Sequence, residues 1–342
     1  MMRKLLCTVT AVLLLAGPGA QAEPELRDGH PDRYTVVKGD TLWDISGRFL
    51  NEPWYWPEIW QVNPQVDNPH LIYPGDTLAL VYVDGQPRIT KVQSEPGVVR
   101  LSPKVRSTPI QTPVPTIPLD AIEAFLGKTR IVAEEDLANA PYVLQGRDGR
   151  LVSGAGDRVY ARGKSKGQKV LGVFRRSQAY YDPETEEFLG LEAKAVGQGK
   201  VASQDGEVIS LDLTQTQEEV VQNDRLLPTA DAPITTNFEP SAPDEQIRGV
   251  MIAVDGGVKN IGQYDVVTLN RGAREGLEPG DVLAVFKKGE VIRDPNTREL
   301  VELPSERAGL LMVFQTYEKL SYGLVLKATR PLALLDEVRN PN

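Results

Sequence analysis

The chain has 342 residues, with 38 Lys and Arg against 47 Asp and Glu, one cysteine and two histidines. A net charge of −9 without a clustered basic stripe argues against nucleic acid or an anionic lipid surface as partner. One cysteine excludes a disulfide framework, and two histidines are too few for the ligand sets of common zinc amidases and endopeptidases.

Arg3 and Lys4 precede an apolar run from Leu5 to Ala16 and a small-residue ending at Ala20-Gln21-Ala22, the three parts of an export signal. Cleavage after Ala22 removes residues 1–22, and Cys7 with them, leaving neither disulfide nor thiol and a net charge of −11. The apolar run is too short to span a bilayer, and no later stretch approaches the roughly 20 apolar residues a membrane helix needs. These features predict a periplasmic protein with no transmembrane segment after processing.

Residues 33–83 form the first predicted unit. Alternation from Tyr34 to Val37 suggests a strand, and Gly39 permits the turn that follows. Thr41 with Asp44 three positions on is a capping-box start, and Leu42, Ile45 and Phe49 then share a helical face. Pro57 suits the first turn of a second helix that Asn63-Pro64 ends, and Pro74-Gly75 introduces the strand "DTLAL". The order is β, α, α, β.

Tyr34-Thr35-Val36, Gly39 to Leu42, Asn63-Pro64 and Leu71 to Gly75 resemble the LysM module, a peptidoglycan- and chitin-binding domain. The resemblance implies a shallow groove for N-acetylglucosamine-containing glycans, formed by Gly39, Asp40, Thr41 and Leu42 with Asp67, Asn68, Pro69, His70, Leu71 and Ile72. The same turn and cap residues are needed whether or not a sugar binds, and His70 reads as a loop residue. All four tryptophans fall within "WDISGRFLNEPWYWPEIW", a segment more aromatic than the module's usual connection. Trp54 and Trp56 either stack on a sugar or a protein partner, or plug the core of a very small domain.

From 84 to 118 the sequence turns rich in Pro, Ser, Thr and Val ("SPKVRSTPIQTPVPTIP") and reads as a semi-rigid linker. A second break at 229–246 separates two β-rich parts, 119–228 and 247–342. These read as copies, because "VLGVFRRSQAYYDPETEEFLGL" aligns without a gap with "VLAVFKKGEVIRDPNTRELVEL" at an offset of 112. Each has the short alternating runs of a small barrel-like domain, with a hairpin closed at Asp182-Pro183 or Asp294-Pro295. Glu187 and Glu299 are read as solvating those hairpins, and Gly272 to Gly280 as a peripheral loop. The fold class is α+β: a small βααβ domain, a Pro-rich linker and duplicated β-rich domains.

No cofactor, metal or catalytic residue is expected. Modules of this kind also ride on peptidoglycan hydrolases, and carboxylates alone could serve a glycosidase, but the β-rich halves carry no helical signature of a lytic transglycosylase. The whole arrangement resembles the type IV pilus secretin-associated protein family, whose C-terminal region is similar to that of a flagellar outer-ring protein. That resemblance implies a non-catalytic adaptor fixing an outer-membrane secretin to peptidoglycan. A general cell-wall scaffold with no secretin partner is the competing non-enzyme reading.

Overall fold

Strand β1 (Arg33–Thr35) pairs antiparallel with β2 (Thr77–Val83), with helices α1 (Leu42–Phe49) and α2 (Trp56–Ile59) between them in the chain. The structure, a computed structural model, describes residues 24–60, 72–92, 113–126, 129–229, 238–257, 260–289 and 291–341. The export signal at 1–22 lies outside them, as do Asn63-Pro64.

Thr41 caps α1: its hydroxyl accepts from the main-chain N–H of Asp44 at 3.1 Å, and the Asp44 carboxylate accepts from the N–H of Thr41 at 3.3 Å. Leu42, Ile45 and Phe49 are buried on one face of the helix, as their three- and four-residue spacing requires. Gly39 and Gly75 both hold φ +99°, a left-handed conformation that glycine adopts without steric cost.

Both described ends of the stretch expected as a linker, 84–118, are built into the fold. Asp84-Gly85 turns β2 into a third strand, β3 (Gln86–Val92), which places Ile89 in the core. At the other end, Val114, Thr116 and Ile117 are buried and lead into α3 (Leu119–Leu126). Residues 93–112 are not among those described.

After α3, β4 (Thr129–Val132) and α4 (Glu134–Asn139) lead into a first group of strands: β5 (Tyr142–Gly146), β6 (Val152–Ser153), β7 (Arg158–Arg162), β8 (Val170–Tyr181), β9 (Phe188–Asp205), β10 (Val208–Thr216), β11 (Val220–Val221) and β12 (Arg225–Pro228). Its main sheet runs β10-β7-β5-β12-β8-β9-β4, and β9 also pairs with β10, so six of the strands form a ring. Val143, Val159, Val173, Val196, Ile209 and Leu226 fill its interior.

The second group comprises β13 (Arg248–Val254), β14 (Val266–Leu269), β15 (Val282–Lys287), β16 (Val291–Arg293), β17 (Leu300–Glu302), β18 (Glu306–Thr316), β19 (Ser321–Ala328) and β20 (Glu337–Arg339). Six of them close a barrel in the order β13-β14-β19-β18-β15-β20. Strands β16 and β17 form a separate two-stranded hairpin. Leu269, Leu283, Val285, Leu311, Val313 and Val325 fill this barrel.

The outer wall of the closed barrel is apolar, and the N-terminal unit covers it. Met312, Phe314, Tyr322 and Leu324 share one continuous core with Leu42, Phe49, Trp56, Ile117, Ile122 and Phe125. Phe125 meets Tyr322 edge-on at 4.6 Å and Phe314 at 6.0 Å. The Arg307 guanidinium grips both oxygens of Glu52 at 2.9 Å. α3 therefore packs between the N-terminal unit and the second barrel, although its sequence position had grouped it with the first β-rich part.

The tip of the β8–β9 hairpin clasps the second barrel. Asn270 donates to Asp182 at 2.8 Å and Arg271 at 3.1 Å, while Arg274 and Lys319 hold Glu187. Tyr180 and Leu189 pack beneath against Ala253 and Leu320. Glu187 is thus a docking carboxylate where a solvating one was expected, and the 272–280 loop is an anchorage where a peripheral turn was expected. Gly272 is fixed there by space, since a Cβ would lie 2.3 Å from the carbonyl of Tyr317.

Candidate functional site

The first four N–H groups of a helix have no partner within it. In α1 the Asp44 N–H is capped by Thr41, which leaves those of Leu42 and Trp43 facing the cleft beside the Gly39 turn. They are met by main-chain carbonyls from far along the chain: Leu42 donates to Pro115 at 2.9 Å and Trp43 to Thr116 at 3.0 Å. Across the cleft the N–H of Val114 donates to the carbonyl of Ile72 at 2.8 Å. Residues 114–117 form a strap between the start of α1 and Ile72, the described residue of the second wall that the sequence assigned to a groove.

The expected site residues divide accordingly. Gly39 is exposed at the turn, while Asp40, Thr41, Leu42 and Ile72 are buried. Asp40 holds the turn together, accepting from the N–H of Val37 at 2.9 Å and from the hydroxyl of Tyr34 at 2.8 Å. Burial, aided by the Asp40 carboxylate, pushes the Tyr34 phenol up. Leu42 offers its main chain to the cleft and its side chain to the core. Asp67, Asn68, Pro69, His70 and Leu71 lie outside the described residues.

Trp54 and Trp56 face inward. Trp54 is 6% exposed and stacks on Tyr55 with ring centroids 3.7 Å apart, and Trp56 is 2% exposed and meets Trp60 edge-on at 6.4 Å. In this arrangement they fill the space between α1, α2 and the sheet.

The strap was not anticipated from the sequence. Its signal is the pair of apolar residues in "PVPTIP": Val114 and Ile117 are buried like core residues, although composition grouped them with a spacer. Among the described residues, no group of three or more His, Cys, Asp and Glu side chains is placed to hold a metal ion.

This cleft lies within a stretch that comparison with known families identifies. Residues 34–80 are a LysM domain. Over 60 residues the chain is 40% identical to the uncharacterized protein YqbP of Bacillus subtilis (strain 168), a match covering 15% of this chain and 27% of that one. The chain thus spans little more than a quarter of that relative's length. A LysM domain is a binding module, not a catalytic one, and points to carbohydrate, peptidoglycan in particular, as ligand. A cell-wall ligand agrees with an extracellular or periplasmic location. Among the described residues no helix is long and apolar enough to cross a membrane.

Proposed function

We propose that this chain is a non-catalytic, periplasmic adaptor that holds peptidoglycan glycan in the α1 cleft of its LysM domain and uses its β-rich part to hold an outer-membrane type IV pilus secretin. The observation that carries the glycan half is the pair of main-chain donors on Leu42 and Trp43, facing the acceptor on Ile72. An acetamido group presents one carbonyl acceptor and one N–H donor, the same kinds of group that the strap supplies. N-acetyl sugars therefore match the cleft in chemistry, and no charge is required of the ligand.

The seated strap fills that cleft, so glycan and strap compete for the same donors. Glycan binding requires residues 114–117 to withdraw, and apparent affinity is reduced by the fraction of molecules in which the strap is seated. The secretin half rests on the order of parts along the chain: export signal, LysM domain, Pro-rich segment, β-rich region.

The test is retention of the full chain on purified peptidoglycan sacculi and, in parallel, on detergent-solubilised secretin, with N-acetylglucosamine oligomers as competitor. Retention on both, with only the first competed away, is expected. If neither the parent nor a strap-loosened variant is held by sacculi, the glycan reading falls. If the secretin retains nothing, the pilus assignment falls and a wall-binding protein remains.

A further inference from the structure

The two Asp-Pro hairpins have the same tip and different surroundings. In each, the first carbonyl accepts from the fifth residue (Glu186 to Asp182 and Arg298 to Asp294, both 2.9 Å), and that fifth residue has a left-handed φ of 59° or 66°. In each, the aspartate accepts from the two N–H groups that follow the proline. Yet Tyr180 and Leu189 are buried against the second barrel, whereas Ile292 and Val301, their counterparts at an offset of 112, are each 42% exposed and paired across the free β16–β17 hairpin. Val291 and Leu300 are more exposed still.

The receiving end of the second barrel, where β14 ends and β18 turns into β19, also has a counterpart. Both rings follow one order of strands, β5-β7-β10-β9-β8-β12 and β13-β14-β19-β18-β15-β20. The end matching Arg271, Gly272 and Lys319 is therefore Arg162, Gly163 and Glu207. Gly163 donates to the carbonyl of Glu207 at 2.7 Å, which ties the end of β7 to the turn before β10. In the second barrel this end is filled by the β8–β9 tip. In the first it is an open groove of about 670 Å³, floored by Tyr142, Leu171 and Leu227 and edged by Lys164, Lys166, Asp136 and the ion pair of Arg162 with Glu207. Among the described residues, Lys164 and Lys166 have no ion-pair partner, and neither has Glu299.

We propose that the chain associates head to tail with a second copy of itself, the β16–β17 tip of one copy seating in this groove of the next as the β8–β9 tip seats on the second barrel within one chain. The seated tip offers Glu187 to Arg274 and Lys319; the free tip keeps that carboxylate as Glu299, and Lys164 and Lys166 at the groove supply the positive charge. The contact joins unlike surfaces, so repetition gives a closed ring or an open chain and not a symmetric dimer. One hairpin tip buries less than the roughly 1,200 Å² of a standard interface, so association is weak and rises with concentration. Nothing in this depends on the glycan reading.

Sedimentation of the full chain over a wide concentration range tests it, with circular dichroism confirming that each variant is folded. The parent is expected to shift to larger species as concentration rises. Ile292→Ser with Val301→Ser, both on the exposed hairpin, should remain monomeric. Glu299→Lys alone and Lys164→Glu with Lys166→Glu should each weaken association by about tenfold or more, and mixing these two proteins should restore it, because each carries the charge the other now needs. A parent that stays monomeric throughout overturns the proposal, as does association that survives the hairpin substitutions.

Discussion

The main-chain N–H of Leu42 donates to the carbonyl of Pro115, 73 positions further along the chain, at 2.9 Å. With the Trp43 and Val114 bonds it seats the strap in the LysM cleft. Val114→Pro deletes the donor to Ile72 while keeping an extended backbone, since proline lacks an N–H. A lost hydrogen bond of this kind is worth about 1 kcal/mol, which converts to about fivefold tighter apparent binding of N-acetylglucosamine oligomers by the loosened variant. Ile117→Ala, which removes a fully buried side chain, should raise affinity further. Titration calorimetry checks both, and equal affinity in parent and variants would remove the competition between strap and glycan.

The clasp between the barrels should be acid-sensitive. Burial alone would raise the Asp182 carboxyl, but the N–H groups of Thr185 and Glu184, with Asn270 and Arg271, overcome it and hold the pKa down at about 2. Arg274, then Lys319, hold Glu187 at about 2 as well. Both native values lie below the unfolded ones, so the stabilisation is complete above the ordinary carboxylate range and is lost as pH falls from about 4 towards 2. For the buried Asp182 this amounts to about 2 kcal/mol. Chemical denaturation between pH 7 and pH 2 should show that loss, and Asp182→Asn should lower stability at neutral pH and flatten the acid slope. A parent curve as flat as that of the variant would show that the Asp182 carboxylate contributes nothing.

Local chemistry was readable and long-range pairing was not. The Thr41–Asp44 cap and the two Asp-Pro hairpins depend on residues a few positions apart, so sequence spacing specifies them. Asp182 finds Asn270 and Arg271 from 88 and 89 positions away, and no local pattern marks a turn carboxylate as a docking one. The strap was misread for a different reason. Proline signals a spacer because it lacks a donor, but the strap contributes carbonyl acceptors, which proline keeps. Composition likewise gave no sign that Met312, Phe314 and Tyr322, on the outer wall of a barrel, would be covered by the N-terminal unit.

Trp56 should be required for folding and not for recognition. Trp56→Ala removes one of the largest fully buried side chains and is expected to cost about 3–5 kcal/mol, while Trp56→Phe, which keeps an aromatic ring in place, costs less. Folded Trp56→Phe protein should bind sacculi like the parent. Loss of binding with an unchanged melting curve would move this ring from the core to the ligand.

Phe125 tests whether the LysM domain and the second barrel melt together. Its ring sits edge-on to Tyr322 and to Phe314 where the N-terminal unit, α3 and the barrel meet, and Arg307–Glu52 is a half-exposed pair worth at most about 1 kcal/mol. Most of the coupling therefore depends on apolar burial. Phe125→Ala should forfeit about 3–5 kcal/mol at the junction, while the barrel interior, filled by a separate set that includes Leu283 and Val313, stays intact. The calorimetric trace of the variant should then resolve a low-temperature transition absent from the parent, and small-angle scattering should report a larger radius of gyration. The detached domain should also bind glycan more tightly, because the strap runs directly into α3 and loses its anchorage with it. An unsplit transition and an unchanged radius would mean that the junction is held by contacts other than this ring.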